Sequence, residues 1–245
     1  MSTATDVLPS GPQYNPAEQA RNLVRSARKG ALATVDVNSQ FPYASLVVFG
    51  TEPDGSPILL LSKLALHTRN LVADRRASVL IDASNAVGDP LTGARVTLVG
   101  RIEPAASTTA ARRYLARNPS SAGYAGFADF NFFVLRVEWA HFIGGFGRIV
   151  TLKTDEILTD MTGAEPLVEA EAALLDAINE DAAPRLSELG ERLSGRAGRW
   201  RVTGIDPAGF DLVSETDDVQ RCLFPQLVTR PEEALQAIAA VFRTA

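Results

Sequence analysis

Leu59-Leu60-Leu61-Ser62-Lys63-Leu64-Ala65-Leu66-His67-Thr68-Arg69-Asn70-Leu71 is the stretch whose reading decides the fold. An apolar run of strand length stops at Ser62, and His67, Thr68, Arg69 and Asn70 then arrive together before the chain turns apolar again. The spacing predicts a strand, a tight turn and a short helix beginning near Leu64. The first turn of such a helix sets unpaired backbone N–H groups beside the Ser62 and Thr68 hydroxyls, the His67 imidazole and the Arg69 guanidinium, which is a seat for a phosphate. A solvated helix start on a buried strand accounts for the same residues, because short polar clusters are common at strand ends.

Working outward toward the N-terminus, Glu52 to Pro57 is dense turn chemistry feeding this strand. Ala31 to Val37 and Pro42 to Phe49 read as a hairpin joined at Asn38-Ser39-Gln40. Within its second strand Ser45 is the polar residue beside Leu46, Val47 and Val48, either a tolerated hydroxyl or a ligand contact. Ahead of the hairpin a helix opens at Pro16 behind Asn15 as cap, with Ala20, Leu23, Val24 and Ala27 at helical spacing and Gly30 closing it. Met1 to Tyr14 is small, polar and proline-containing, with no basic region ahead of an apolar core, so residues 1–15 are expected to be a disordered tail.

Toward the C-terminus, Ala77 to Asp82 and Arg95 to Glu103 are strands separated by a loop over Ala83 to Gly93, and Ala106 to Arg117 is an alanine-rich helix stopped at Asn118-Pro119. Phe132 to Trp139 alternates strictly, with Phe133, Leu135, Val137 and Trp139 on one face and Arg136 and Glu138 on the other. So many strands with so few helices between them predict a closed or nearly closed antiparallel barrel. Gly144-Gly145-Phe146-Gly147-Arg148 lacks the G-x-G-x-x-G spacing of a dinucleotide loop and a Walker lysine; a bulge, a twisted strand end or a close backbone approach to a bound ring fits it. Residues 151–164 read as a linker holding a short strand or turn. Beyond it, helices over Leu167 to Ile178, Pro184 to Leu193 and Pro231 to Phe242, with strands at Trp200, Phe210 and Arg221, form a smaller α+β domain over 165–245.

Ser62-Lys63-Leu64-Ala65 with His67-Thr68-Arg69-Asn70-Leu71, followed in order by five motifs, Arg95 to Arg101, Tyr114 to Pro119, Tyr124-Ala125-Gly126-Phe127, Asp129-Phe130, and Ala140-His141-Phe142 through Arg148, resemble the FMN-binding split-barrel superfamily related to pyridoxamine 5'-phosphate oxidase, in its haem-utilisation branch. The resemblance runs from about Pro16 onward. It implies an α+β fold, an N-terminal antiparallel split β-barrel over 16–150 followed by the C-terminal α+β domain. It also implies FMN as cofactor, haem being the alternative, held by Ser45, Ser62, Lys63, His67, Thr68 and Arg69, with Arg95 reaching in from a neighbouring subunit of a homodimer whose clefts lie at the interface. The first helix of the second domain departs from the branch: Ala177-Ile178-Asn179-Glu180-Asp181-Ala182 keeps Asn179 and Asp181 of a His-x-Asn-x-Asp-His pattern and lacks both imidazoles. A haem reading therefore turns to His141 as ligand candidate, against the reading of a packed, hydrogen-bonded core histidine. The Arg-x-His substrate pair of the pyridoxamine phosphate oxidases is also missing.

Composition bounds the function. A single cysteine among 245 residues forms no intramolecular disulfide, and with only two histidines it completes no usual zinc site, which fits a cytoplasmic setting. A net charge of −5 argues against broad nucleic-acid binding, and no apolar run reaches membrane-spanning length. The expected partners are a small-molecule ligand and a second copy. The expected activity is that of an FMN-dependent oxidoreductase; the alternatives are a haem-binding or haem-degrading iron-utilisation protein and a non-catalytic cofactor-binding module.

Overall fold

The computed structural model describes residues 15–83, 89–145 and 147–244. Residues 1–14 of the expected tail, five residues of the loop after Ala83, and Phe146 of the glycine motif lie outside the described residues. Helix α1 (Pro16–Ser26) starts where proline belongs, at its first position, with the Asn15 carbonyl oxygen of the side chain accepting from the Glu18 N–H at 3.2 Å. Its Ala20, Leu23 and Val24 are buried.

Strands β1 (Lys29–Val35), β2 (Pro42–Thr51), β3 (Pro57–Ser62), β4 (Arg76–Asp82), β5 (Arg95–Pro104), β6 (Phe130–Ile143) and β7 (Ile149–Lys153) form one antiparallel sheet in the order β3-β2-β1-β4-β5-β6-β7. An additional β3–β6 pairing, Ile58 opposite Val134 through Ser62 opposite Phe130, closes the first six strands into a barrel. Closure satisfies the edges that an open sheet would leave unpaired. Leu32, Phe49, Leu59, Val79, Ile81, Leu98, Leu135 and Phe142 fill its interior.

One residue re-phases the longest strand. Val99 pairs with Trp139 and Gly100 with Val137, so Glu138 is the extra residue of a β-bulge. Ahead of the bulge Leu135 and Val137 are buried as the alternation predicts, but beyond it Ala140 and Phe142 point in and Trp139, expected with them, is 41% exposed. Gly100 makes this possible: a Cβ there would lie 1.9 Å from the Arg136 carbonyl oxygen. The glycine motif after β6 is a hairpin turn into β7, with Gly145 and Gly147 at φ of 111° and 74°, where glycine alone is unstrained.

The segment expected as a linker holds β7 and the short α5 (Thr154–Ile157), and its Leu152 and Ile157 are buried in the barrel core. The C-terminal part has its own core. Helices α6 (Glu165–Asp181), α7 (Ala183–Ser194) and α8 (Pro231–Thr244) pack on an antiparallel sheet β10-β9-β8, formed by β8 (Trp200–Asp206), β9 (Gly209–Ser214) and β10 (Val219–Leu223). Asn179, retained from the branch pattern, pins α6 to β8: its amide donates to the Val202 carbonyl at 2.9 Å and accepts from the Val202 N–H at 2.7 Å.

Barrel and C-terminal part meet across charge. Asp206, fully buried, accepts two hydrogen bonds from Arg221, at 2.6 and 2.7 Å, and pairs with Arg25 of α1 at 2.8 Å. Glu171 of α6, equally buried, accepts from Arg113 and Arg112 of α3 (Thr108–Arg117) and from the Ile205 N–H. Arg113 also donates to the Thr51 carbonyl of β2 at 2.7 Å, and Arg25 to the Pro53 carbonyl at 2.7 Å. Burial pulls Arg25 down to about 10, with Asp206 working the other way. Burial alone would raise Asp206, but Arg221 and Arg25 hold it at about 2. Arg25 and Asp206 are therefore both ionised at neutral pH.

Candidate functional site

The site lies where β2 and β3 meet α2 (Leu66–Ala73) and α4 (Ala122–Ala125). Helix α2 starts two residues later than the spacing predicts, because Lys63 and Leu64 are held in a turn: the Lys63 N–H donates to the Asp129 carbonyl at 2.7 Å and the Leu64 N–H to the Ser62 hydroxyl at 3.1 Å. Asn70, fully buried, fixes the helix against β1 through Thr34 at 3.0 Å and the Val37 N–H at 3.1 Å.

A groove of about 320 Å³ opens between these elements, lined chiefly by Leu46, Val48, Leu60, Tyr114, Tyr124 and Phe130, with Ser62 and His67 as its polar groups besides the tyrosines. Leu46, 73% exposed on its wall, is a large apolar side chain without cover. The aromatic side is built as a unit: Tyr114 stands edge-on to Phe132, Tyr124 packs against Phe130, and Tyr124 shares a hydrogen bond with Ser121 at 2.8 Å. Phe130, Phe132 and Phe133 thus pack on the protein's own clusters, while Phe127 is exposed.

The structure sorts the predicted contacts into separate groups. Ser45 and His67 come together, Oγ to Nδ1 at 3.1 Å. Burial pushes the half-buried imidazole below the ordinary histidine range, so it is neutral at physiological pH. In the tautomer with Nδ1–H donating to Ser45, Nε2 offers a lone pair, and it has no hydrogen-bond partner among the described residues. Ser62 and Lys63 are instead bound to the turn before β6: the Ser62 hydroxyl donates to the Asp129 carboxylate at 2.6 Å and the Lys63 ammonium to the Ala128 carbonyl at 3.0 Å. Thr68 is only 3% exposed, with a buried hydroxyl that has no hydrogen-bond partner among the described residues.

Arg69 is exposed and makes no ion pair among the described residues; Asp74 is taken by Arg76 at 2.5 Å, and the Arg69 charge adds to the hydrogen bonds from Ser39 that hold Asp36 below the carboxylate range. Arg95 donates to the Leu91 and Gly93 carbonyls. It pairs with Ile143 while Ser62 pairs with Phe130, at opposite ends of a 14-residue strand, so the two stand roughly 40 Å apart along it. One chain does not bring them to one site. His141 is on the outer face of β6, away from the groove, opposite Thr97 and Thr151, with Nδ1 3.4 Å from the Thr151 hydroxyl. Asp129, Tyr114 and Tyr124 stand in the family motifs, but sequence reasoning gave them no place in the site; the Asp129 carboxylate meets Ser62 only through the β3–β6 closure.

A closed six-stranded antiparallel barrel carrying an α+β C-terminal part is the split-barrel architecture of the FMN-binding, pyridoxamine 5'-phosphate oxidase-related superfamily. Within that class, residues 12–158 match the family described as CREG, beta-barrel, and the chain belongs to it. Over its whole length the chain is similar to the protein Atu2129 of unknown function from Agrobacterium tumefaciens str. C58, with 32% identity, a TM-score of 0.81, and coverage of 97% of this chain and 100% of the other. It is also similar to a heme binding protein from Mycobacterium smegmatis, with 30% identity, a TM-score of 0.57, and coverage of 96% and 98%. Across 139 residues it is 34% identical to the chloroplastic non-canonical heme oxygenase HOZ of Arabidopsis thaliana, covering 54% of this chain and 41% of that protein. The chain therefore spans about two fifths of the length of that plant relative. Among the described residues no helix is long and apolar enough to cross a membrane.

Proposed function

We propose that this protein binds haem in the groove beside α2, with His67 as the axial ligand to iron. The observation that carries the reading is the His67 imidazole, half-buried at an apolar groove, neutral, with Nδ1 engaged by Ser45 and Nε2 without a partner. A hydrogen bond on the second ring nitrogen is how ligating histidines are commonly oriented. Apolar and aromatic walls suit a porphyrin face, and the mycobacterial and plant relatives carry haem in their names. Bound haem would supply iron-centred redox chemistry; the chain's own part is to hold the ring between Leu46, Leu60 and the Tyr124–Phe130 pair and to present Nε2. This reading takes His67 rather than His141 as the ligand, since His141 does not line the groove.

Haemin titrated into the wild-type protein is expected to give a saturable Soret change, and His67→Ala is expected to shift the band and weaken binding at least tenfold, while His141→Ala leaves both unchanged. The opposite order of the two variants would return the iron to His141, and absence of saturable binding would remove haem altogether.

Flavin mononucleotide is the second reading, favoured by the exposed Arg69 guanidinium two positions after His67 on α2, which makes no ion pair among the described residues. Against it stands the Asp129 carboxylate on Ser62, a negative charge where the phosphate cradle needs a donor. For either cofactor we propose a homodimer whose second copy covers the outer barrel face, where Leu46, Ala31, Leu80, Thr97 and His141 form one cross-strand row. Light scattering at micromolar concentration should give twice the chain mass.

A further inference from the structure

A second cavity, of about 400 Å³, lies between α1 and the segment from β10 to Leu227 and shares no lining residue with the groove beside α2. That volume falls within the range of small-molecule pockets. Its polar wall holds Arg21, Arg25 and Arg221 against a single carboxylate, the exposed Glu18; its apolar wall is Leu223, Phe224 and Leu227. The Asn22 and Gln226 amides, also on the lining, have no hydrogen-bond partner among the described residues.

What stands behind the cavity decides what it would take. The side chains of Arg25, Arg113, Arg117 and Arg221 are all at most 4% exposed, and the carboxylates buried among them are three, Glu171, Asp206 and Asp211. Pairing is uneven as well. Arg221 Nε is buried with no hydrogen-bond partner, and Arg117 reaches Asp211 only at 3.5 Å, with Nε and Nη1 unbonded. Each guanidinium has a carboxylate partner and half-buried Glu52 also faces Arg113, but four buried positive charges share three buried carboxylates, and in a water-poor surround the field of the excess extends to adjacent accessible space. That space is the cavity at Arg21 and Arg221. Arg21 is its accessible donor: it is partly exposed and spends one N–H on the Glu156 carbonyl at 2.6 Å.

We propose that this cavity is a binding site for a small amphipathic anion, an oxygen-anion head group held by Arg21 over the buried guanidiniums and a short hydrocarbon body lying on Leu223, Phe224 and Leu227. The head-group chemistry is shared by carboxylates and phosphate esters. The site does not depend on the groove beside α2.

Isothermal titration of the full chain with octanoate, octyl phosphate, octanol and inorganic phosphate tests this. Saturable one-to-one binding of octanoate or octyl phosphate is expected, with the tighter of the two naming the head group. Octanol, the same chain without charge, should bind at least tenfold more weakly. Arg21→Gln, at a partly exposed position, should weaken the anions about tenfold to a hundredfold, the cost of one charge-assisted contact, and His67→Ala should leave them unchanged. Octanol binding as tightly as octanoate, an unaltered affinity in Arg21→Gln whose melting temperature matches wild type, or no binding of any probe would each overturn the proposal. Should Arg21→Gln melt early, the octanol-to-octanoate ratio in the wild type decides alone.

Discussion

The junction between barrel and C-terminal part and the groove beside α2 use polar residues in opposite ways. At the junction, charged groups are withdrawn from water and locked to one another and to backbone carbonyls of both parts. In the groove the polar groups are few, neutral or half-exposed, and large apolar side chains face solvent. Burying charge demands fixed geometry and gives specificity of assembly rather than net stability, whereas an uncovered apolar surface holds affinity in reserve for something that is not part of the chain. Damage to the first should unfold the protein and damage to the second should leave it folded but empty.

The sharpest way to break that contrast is Glu171→Ala. It strands Arg113 and Arg112 and removes the acceptor of the Ile205 N–H, so urea unfolding should show a loss of about 3–5 kcal/mol. An undiminished midpoint would mean that Arg113 and Arg112 do not need the Glu171 carboxylate. Acid should act on the same region. Asp206 titrates near 2 when folded and near 3.8 when unfolded, so the unfolded chain binds the proton first. The stability this group confers is complete above about pH 4 and is lost as pH falls toward 2, on the order of 2 kcal/mol. Asp206→Asn should flatten that part of a pH-dependent melting curve.

In the groove, Ser45→Ala should leave the melting temperature near wild type and weaken haemin about tenfold, because the imidazole loses the partner that fixes its ring. Equal binding by wild type and variant would show that Ser45 does not orient His67. The smallest effect concerns the flavin reading. Arg69→Ala should cost flavin mononucleotide up to about tenfold and riboflavin nothing if the guanidinium meets a phosphate, and leave both alike if it remains solvated.

How far the sequence carried this reading depended on the range of the interactions. Strands with a clean period of two, such as β4 and β5, and helices opened by proline, such as α1 and α8, were legible because their signals lie within a few residues. Trp139 was placed on the wrong face because the bulge at Glu138 is set by the partner strand, where Gly100 lets the backbone approach. The Ser45–His67 pair was visible only as two separate candidates, since β2 and α2 meet through the barrel's curvature. Nothing local distinguishes the buried Arg25 and Arg113 from the partly exposed Arg21 and Arg112. Their carboxylates lie in a part of the chain that reads as another module.

That separation orders the protein's birth. Arg113 leaves the ribosome 58 residues ahead of Glu171, and Asp206 and Asp211 follow later still. At about 5–20 residues per second the interval before the first counter-charge is made is roughly 3 to 12 s. During it β6, the strand that closes the barrel, is itself being made, and the guanidiniums of α1 and α3 still lack their buried carboxylates. The final seating of both helices therefore waits for the last third of the polypeptide, which serves as the latch on a barrel translated before it.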